Sequence, residues 1–161
     1  MSIAMTRTAA IRLPVGMEYV DAPYVTRRLE EAGKVLMCLR VSGCRPADYK
    51  VAWPAIVQEV FTAMDMEDVP LPEPHSAQVT AMDEAFAWIA LVGDIKMRRL
   101  IWLRLLVHPI SDRYKWTWRA LEKIFGLDHQ TLKARHGRGI ALIATKLNQP
   151  DFRELPGGSL P

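Results

Sequence analysis

The chain has 161 residues, half of them apolar, and a formal net charge of +3 from 21 Lys and Arg against 18 Asp and Glu. That length and apolar content exclude a mainly disordered protein and allow one domain, or two small ones, with a real core. The charge is unevenly divided: residues 1–95 hold 8 Lys and Arg against 13 Asp and Glu, a net of −5, whereas residues 96–146 hold 12 against 3, a net of +9. A basic segment of this kind is the footprint expected for phosphate contact. The acidic half, which DNA would repel, is left for other contacts.

Residues 1–20 show no sustained period and contain Pro14 and Gly16, so they are predicted to form a flexible arm whose Arg7 and Arg12 are solvated. Asp21-Ala22-Pro23 reads as a helix start, with the carboxylate near the cap and proline in the first turn. From 24 to 39 the apolar stripe Val25, Leu29, Ala32, Leu36 and Leu39 has helical spacing, with Arg27, Arg28, Glu30, Glu31 and Lys34 mostly off it. A turn at 41–47 and a second helix over 53–64 follow, with Trp53, Ile56, Val57, Val60 and Phe61 inward. Acids and prolines then alternate through 65–76, the composition of an extended linker. Regions are thus expected at 1–20, 21–75, 76–149 and 150–161: arm, N-terminal helical region, C-terminal helical domain and tail.

Ser76 can cap a helix running to Val92, with Val79, Met82, Phe86, Ile89 and Trp88 as its apolar side. Asp94 can start another through Val107, with Ile95, Leu100, Leu103 and Leu106 facing in and Pro109 stopping it. Residues 108–115 read as a polar connection. The longest apolar run, 85–92, is too short to span a bilayer, and Arg104 interrupts the next, so no membrane segment is expected. Cys38 and Cys44 lack a metal-pair spacing and read as reduced thiols. With no signal peptide, they point to the cytoplasm.

The stretch 115–138 organises the chain. Leu121, Ile124 and Phe125 fall on one helical face, Gly126 can take positive φ, Leu127 can plug the space between helices, and Asp128 can cap a second helix. That second helix carries Leu132 inward and Gln130, Lys133, Arg135 and Arg138 outward, and it continues through Leu142, Ile143 and Leu147. Trp118 is expected to pack against it and Trp116 to sit at the surface. A helix, a short Gly-containing turn and a basic second helix form the pattern of a DNA-reading helix-turn-helix.

On Phe125-Gly126-Leu127 and Thr131-Leu132-Lys133-Ala134-Arg135-His136-Gly137-Arg138, residues 96–147 resemble the helix-turn-helix of sigma-factor region 4. The resemblance implies that the second helix lies in the major groove with Thr131, Lys133 and Arg135 at or near DNA. One departure stands out: at Glu122, four residues before the turn glycine, such motifs carry Ala or Gly. A glutamate there must swing outward or open the helix pair. The whole chain is also similar to a family of small bacterial and phage proteins in which a helix like 24–33 precedes a Trp-rich helix-turn-helix. That second resemblance implies no activity.

Residue chemistry assigns roles within the motif. Gln130 can pair bidentately with adenine and Lys133 can donate to guanine, while Arg135 reads a guanine or clamps a phosphate. Arg119, Lys123 and Arg138 are placed to neutralise phosphates, and His129 sits in the first turn, within reach of a phosphate or base edge. The bland alternative is a helical hairpin whose basic face is merely solvated. Enzyme signatures are missing: there is no Gly-rich phosphate loop, His-Glu-x-x-His or Gly-x-Ser-x-Gly. His129 and His136 lack the Cys or acid neighbours of a metal site. No catalytic residue, metal or cofactor is therefore expected.

The expectation is an all-α protein in which an N-terminal helical region accompanies a C-terminal helix-turn-helix, binding double-stranded DNA selectively as a transcriptional regulator of bacterial or phage origin. One alternative is the DNA-recognition subunit of a phage packaging machine (a small terminase), which would form a ring-like homo-oligomer. Another is a module that binds RNA polymerase or another bacterial or phage protein without DNA.

Overall fold

The computed structural model describes residues 19–41 and 71–149. The helix expected over 53–64, most of the acidic proline-rich stretch, the arm up to residue 18 and the tail from 150 lie outside the described residues. Among the described residues the fold is all-α: α1 (Ala22–Val41), α2 (Ser76–Ile89), α3 (Ile95–Arg104), α4 (Trp118–Phe125) and α5 (His129–Leu147).

The Asp21 side chain accepts the Tyr24 N–H at 2.8 Å, satisfying an amide that the first turn of α1 would otherwise leave open. Val25, Leu29, Ala32 and Leu36 are buried along one face. Each buried Val or Leu contributes about 1.5–3 kcal/mol relative to exposure. The backbone of α1 passes close to the end of α3, because a Cβ built on Gly33 would lie 1.9 Å from the Leu105 carbonyl oxygen.

The start of α2 differs by one residue from the sequence expectation. His75, not Ser76, is the N-cap, and its backbone N–H is accepted by the Gln78 side chain at 2.8 Å. Met82, Ala85, Trp88 and Ile89 are buried, and Val79 and Phe86 are half-buried at the edge. The helix stops at Ile89 rather than Val92 because the last amides turn to tighter partners: Leu91 N–H to the Trp88 carbonyl and Val92 N–H to that of Ile89.

In α3, Asp94 caps the Lys96 N–H at 2.9 Å as expected. Ile95, however, is 75% exposed instead of facing in. The helix also ends at Arg104, not Val107, because the following backbone pairs across a tight hairpin. Val107 bridges Tyr114 in antiparallel fashion, the His108 N–H reaches the Arg113 carbonyl and the Lys115 N–H that of Leu106, both at 2.8 Å. Asp112 takes the left-handed conformation at the tip (φ 54°), and His108 Nδ1 accepts the Ser111 N–H at 3.1 Å. Lys34 on α1 pairs with Asp112 and the Tyr114 hydroxyl donates to Glu30, so this hairpin is anchored on α1.

All five helices feed one apolar cluster, with Trp88, Leu100, Ile101, Leu121, Leu132, Ile143 and Leu147 essentially inaccessible. Gly139 lets α5 approach α3, since a Cβ there would meet Met97 and Ile101 at 2.9 Å. Just past α5, the Asn148 side chain accepts the Val20 N–H at 2.9 Å and donates to the Val20 carbonyl at 2.7 Å. The same amide nitrogen also donates to the Ala144 carbonyl at 2.9 Å. Burial pushes the Cys38 thiol in α1 above its ordinary value, which disfavours the reactive thiolate.

Candidate nucleic-acid interface

Helices α4 and α5 are joined by the three residues Gly126, Leu127 and Asp128. Thr117 caps α4, its side chain accepting the Ala120 N–H at 3.2 Å. Gly126 closes α4 in the left-handed conformation (φ 66°, ψ 25°), with its N–H on the Glu122 carbonyl. A residue with a Cβ adopts that geometry at a cost, so the sharp turn depends on glycine. Leu127 packs half-buried on the core, and Asp128 caps α5 by accepting the amides of Gln130 and Thr131 at 3.1 and 3.2 Å. Of the expected inward face of α4, Leu121 is buried and Phe125 half-buried, but Ile124 is exposed at the rim of the stripe.

Glu122 neither opens the helix pair nor leaves it. Its Oε1 reaches across the turn and accepts the His129 backbone N–H at 2.7 Å, while lying 2.8 Å from His129 Nδ1. Glu122 and Asp128 together therefore satisfy the first three amides of α5. The His129 amide holds the Glu122 carboxyl below its ordinary range, and the Thr131 hydroxyl does the same for Asp128, so both remain ionised.

The outward side of the pair carries the basic residues. Arg119 and Lys123 on α4, and Gln130, Lys133 and Arg138 on α5, are exposed; Arg135 is half-buried. Thr131 is half-buried and its hydroxyl donates to Asp128, so it serves the cap. His129 is 45% exposed at the leading end of α5. The opposite side of α5 buries Leu132, Gly139, Ile140, Ile143, Ala144 and Leu147. Gln130, Lys133 and Arg138 thus lie on the solvent-exposed arc of a helix whose core side is fixed, while Arg135, two residues after Lys133, diverges from it around the helix.

Two supports escaped sequence reasoning. Arg104, the lone charge in an apolar run, has its guanidinium carbon 3.4 Å from the Tyr114 ring centroid and 4.4 Å from that of Trp118, and it donates to the Trp116 carbonyl at 2.9 Å. It ties the hairpin to the entry of α4, and burial pulls its pKa below the usual value. Arg99 on α3 lies over the Phe125 ring at 5.8 Å, beside the turn. Trp116 is half-buried against the core rather than at the surface.

Trp118 packs on α5 as expected, with its ring edge-on to His136 at 5.6 Å and 79°. Burial first, and the Arg104 charge second, lower the His136 pKa from 6.5 to about 4. A neutral folded imidazole facing an unfolded one that protonates at 6.5 places a stability loss between those two values. Stability is full above pH 6.5 and declines as the pH falls toward 4, by up to about 3 kcal/mol from this group. The expected result is a lower urea midpoint at pH 4.5 than at pH 7, with His136→Gln flattening that dependence. An equally steep profile in the variant would move the effect elsewhere.

Among the described residues, no helix is long and apolar enough to cross a membrane. A family described as a domain of unknown function, DUF6362, matches residues 39–143, and the chain belongs to that family. The matched span contains α2, α3, α4 and the outward-facing polar residues of α5. No curated protein and no solved structure shows significant similarity to the chain.

Proposed function

We propose that this member of the DUF6362 family is a sequence-selective duplex-DNA-binding protein of the sigma-factor region 4 type, acting in transcriptional regulation in the cytoplasm of a bacterium or in phage infection. The observation that carries the reading is the side of α5 that bears Gln130, Lys133 and Arg138 in solvent, presented by a glycine turn and backed by the core. An α-helix fits the major groove, and amide, ammonium and guanidinium groups match the acceptors and donors of base edges and phosphates there. The net of +9 over residues 96–146 supplies the long-range attraction. Because the N-terminal amides of α5 are satisfied by Glu122 and Asp128, phosphate neutralisation falls to side chains, with Arg119, Lys123 and Arg138 the natural candidates.

Selection from random duplex DNA by the purified protein at near-physiological salt tests this reading. A sharp enriched motif is the expected result, and its symmetry reports whether one copy or two bind. No enrichment would turn the helix pair into a protein-contact module. Within a selected duplex, Arg138→Ala is expected to weaken all sequences alike and to lower the slope of log affinity against log salt by about one. A change in base preference instead would place Arg138 among the readers.

A further inference from the structure

The residue that opens α5 has a fixed chemical face, and the consequence drawn from it rests on the duplex-DNA reading. Glu122 Oε1 lies 2.8 Å from His129 Nδ1 while also accepting the His129 backbone N–H. An ionised carboxylate only accepts hydrogen bonds, and hydrogen bonding keeps Glu122 ionised. The proton in the Glu122–His129 contact therefore sits on Nδ1. In its neutral form the imidazole has that one N–H, and Nε2 then carries a lone pair.

The ring sits where this matters. Side chains on a helix lean toward its N-terminus, so His129 projects from the leading end of α5, beside the exposed Gln130. Its surroundings are selective: the Glu122 and Asp128 carboxylates repel a phosphate at this end, and Arg119 lies near enough to interact with Glu122. A lone pair at Nε2 calls for a donor. In the major groove the base donors are the exocyclic amino groups, N6 of adenine and N4 of cytosine, while guanine N7 and O6 and thymine O4 are acceptors.

We propose that His129 is a specificity-determining residue that accepts, at Nε2, a hydrogen bond from the amino group of an adenine or cytosine in the major groove, with Glu122 as the positioning residue that sets its tautomer. Glu122, a departure from the sigma-type pattern, thereby becomes part of the reading apparatus.

Nitrogen-15 NMR of the imidazoles in alkaline buffer, where a histidine ring is neutral, supplies the first arm. The Nδ1–H form is expected for His129 in the wild type, with Glu122→Ala raising the Nε2–H fraction. An Nε2–H ring in the wild type overturns the proposal whatever the protein binds. The second arm compares wild type and His129→Ala on selected duplexes. The variant is expected to lose preference at one position, about five- to tenfold, with its salt slope unchanged. Replacing the adenine or cytosine there by an analogue lacking the amino group should weaken the wild type by a similar factor and leave the variant unaffected. A reduced salt slope with intact preference makes His129 a phosphate contact and overturns the proposal. If the wild type selects no duplex although the Nδ1–H form is present, the DNA reading fails and takes the proposal with it, and the persisting tautomer shows which of the two was at fault.

Discussion

Gly33→Ala is expected to destabilise the protein by at least about 3 kcal/mol, the upper end of the usual range for overpacking. The added methyl would sit 1.9 Å from the Leu105 carbonyl oxygen and 2.9 Å from the Leu105 Cδ1. The side-chain atom can rotate away, but the carbonyl is backbone at the junction between α3 and the hairpin, with Leu106 and His108 already committed to cross-hairpin hydrogen bonds. Relief therefore requires α1 to lift from the core that Val25, Leu29 and Leu36 build. Helix propensity works the other way, favouring Ala by about 1 kcal/mol, and the clash outweighs it. Urea unfolding followed by circular dichroism reads the difference as a lower midpoint. An unchanged or raised midpoint would contradict this close approach of α1 to the end of α3.

Lys133→Glu combined with Arg135→Glu is expected to weaken selected-duplex binding by about 100-fold or more at moderate salt, with the helical circular-dichroism signal retained. Two base or phosphate contacts are each worth about 1–3 kcal/mol, and the reversed charges add repulsion from the DNA backbone. Lys133 is exposed and Arg135 half-buried, so the retained circular-dichroism signal is the control that separates lost binding from lost folding. The salt dependence should change too, since two fewer counterions are displaced. Equal affinity in wild type and variant would remove this side of α5 from any DNA interface and with it the proposed function.

Much of the helical framework was legible in the residues. The α1 stripe, the Asp94 cap, the Gly126 turn and the Asp128 cap follow from local rules of spacing and side-chain geometry, and each is found where the sequence puts it. The end of α3 was not legible for a physical reason. Leu105, Leu106 and Val107 are all buried, and an unbroken apolar run reads alike whether the backbone is helical or extended. The hairpin is decided by the left-handed turn at Asp112 and by anchors on α1 about 80 residues away in sequence. Ile124 is exposed because α4 is only 8 residues long and its apolar stripe is wider than the surface that covers it. The role of Glu122 depends on where the amides of the next helix point, which residue type alone does not encode. The outward placement of Gln130, Lys133 and Arg138 was legible because Leu132 fixes the phase of the helix.

The amide of Asn148 binds Val20 much as one strand binds another, accepting and donating at once, while its nitrogen also holds Ala144. One side chain thus clasps the lead into α1 to the end of α5. Fraying of the last turn of α5 therefore removes hydrogen bonds from the lead into α1 as well. The polar side of α5 is consequently held at both extremities, by Asp128 and Glu122 at the front and by this clasp at the rear, which is the rigidity a helix requires to hold a register against another molecule.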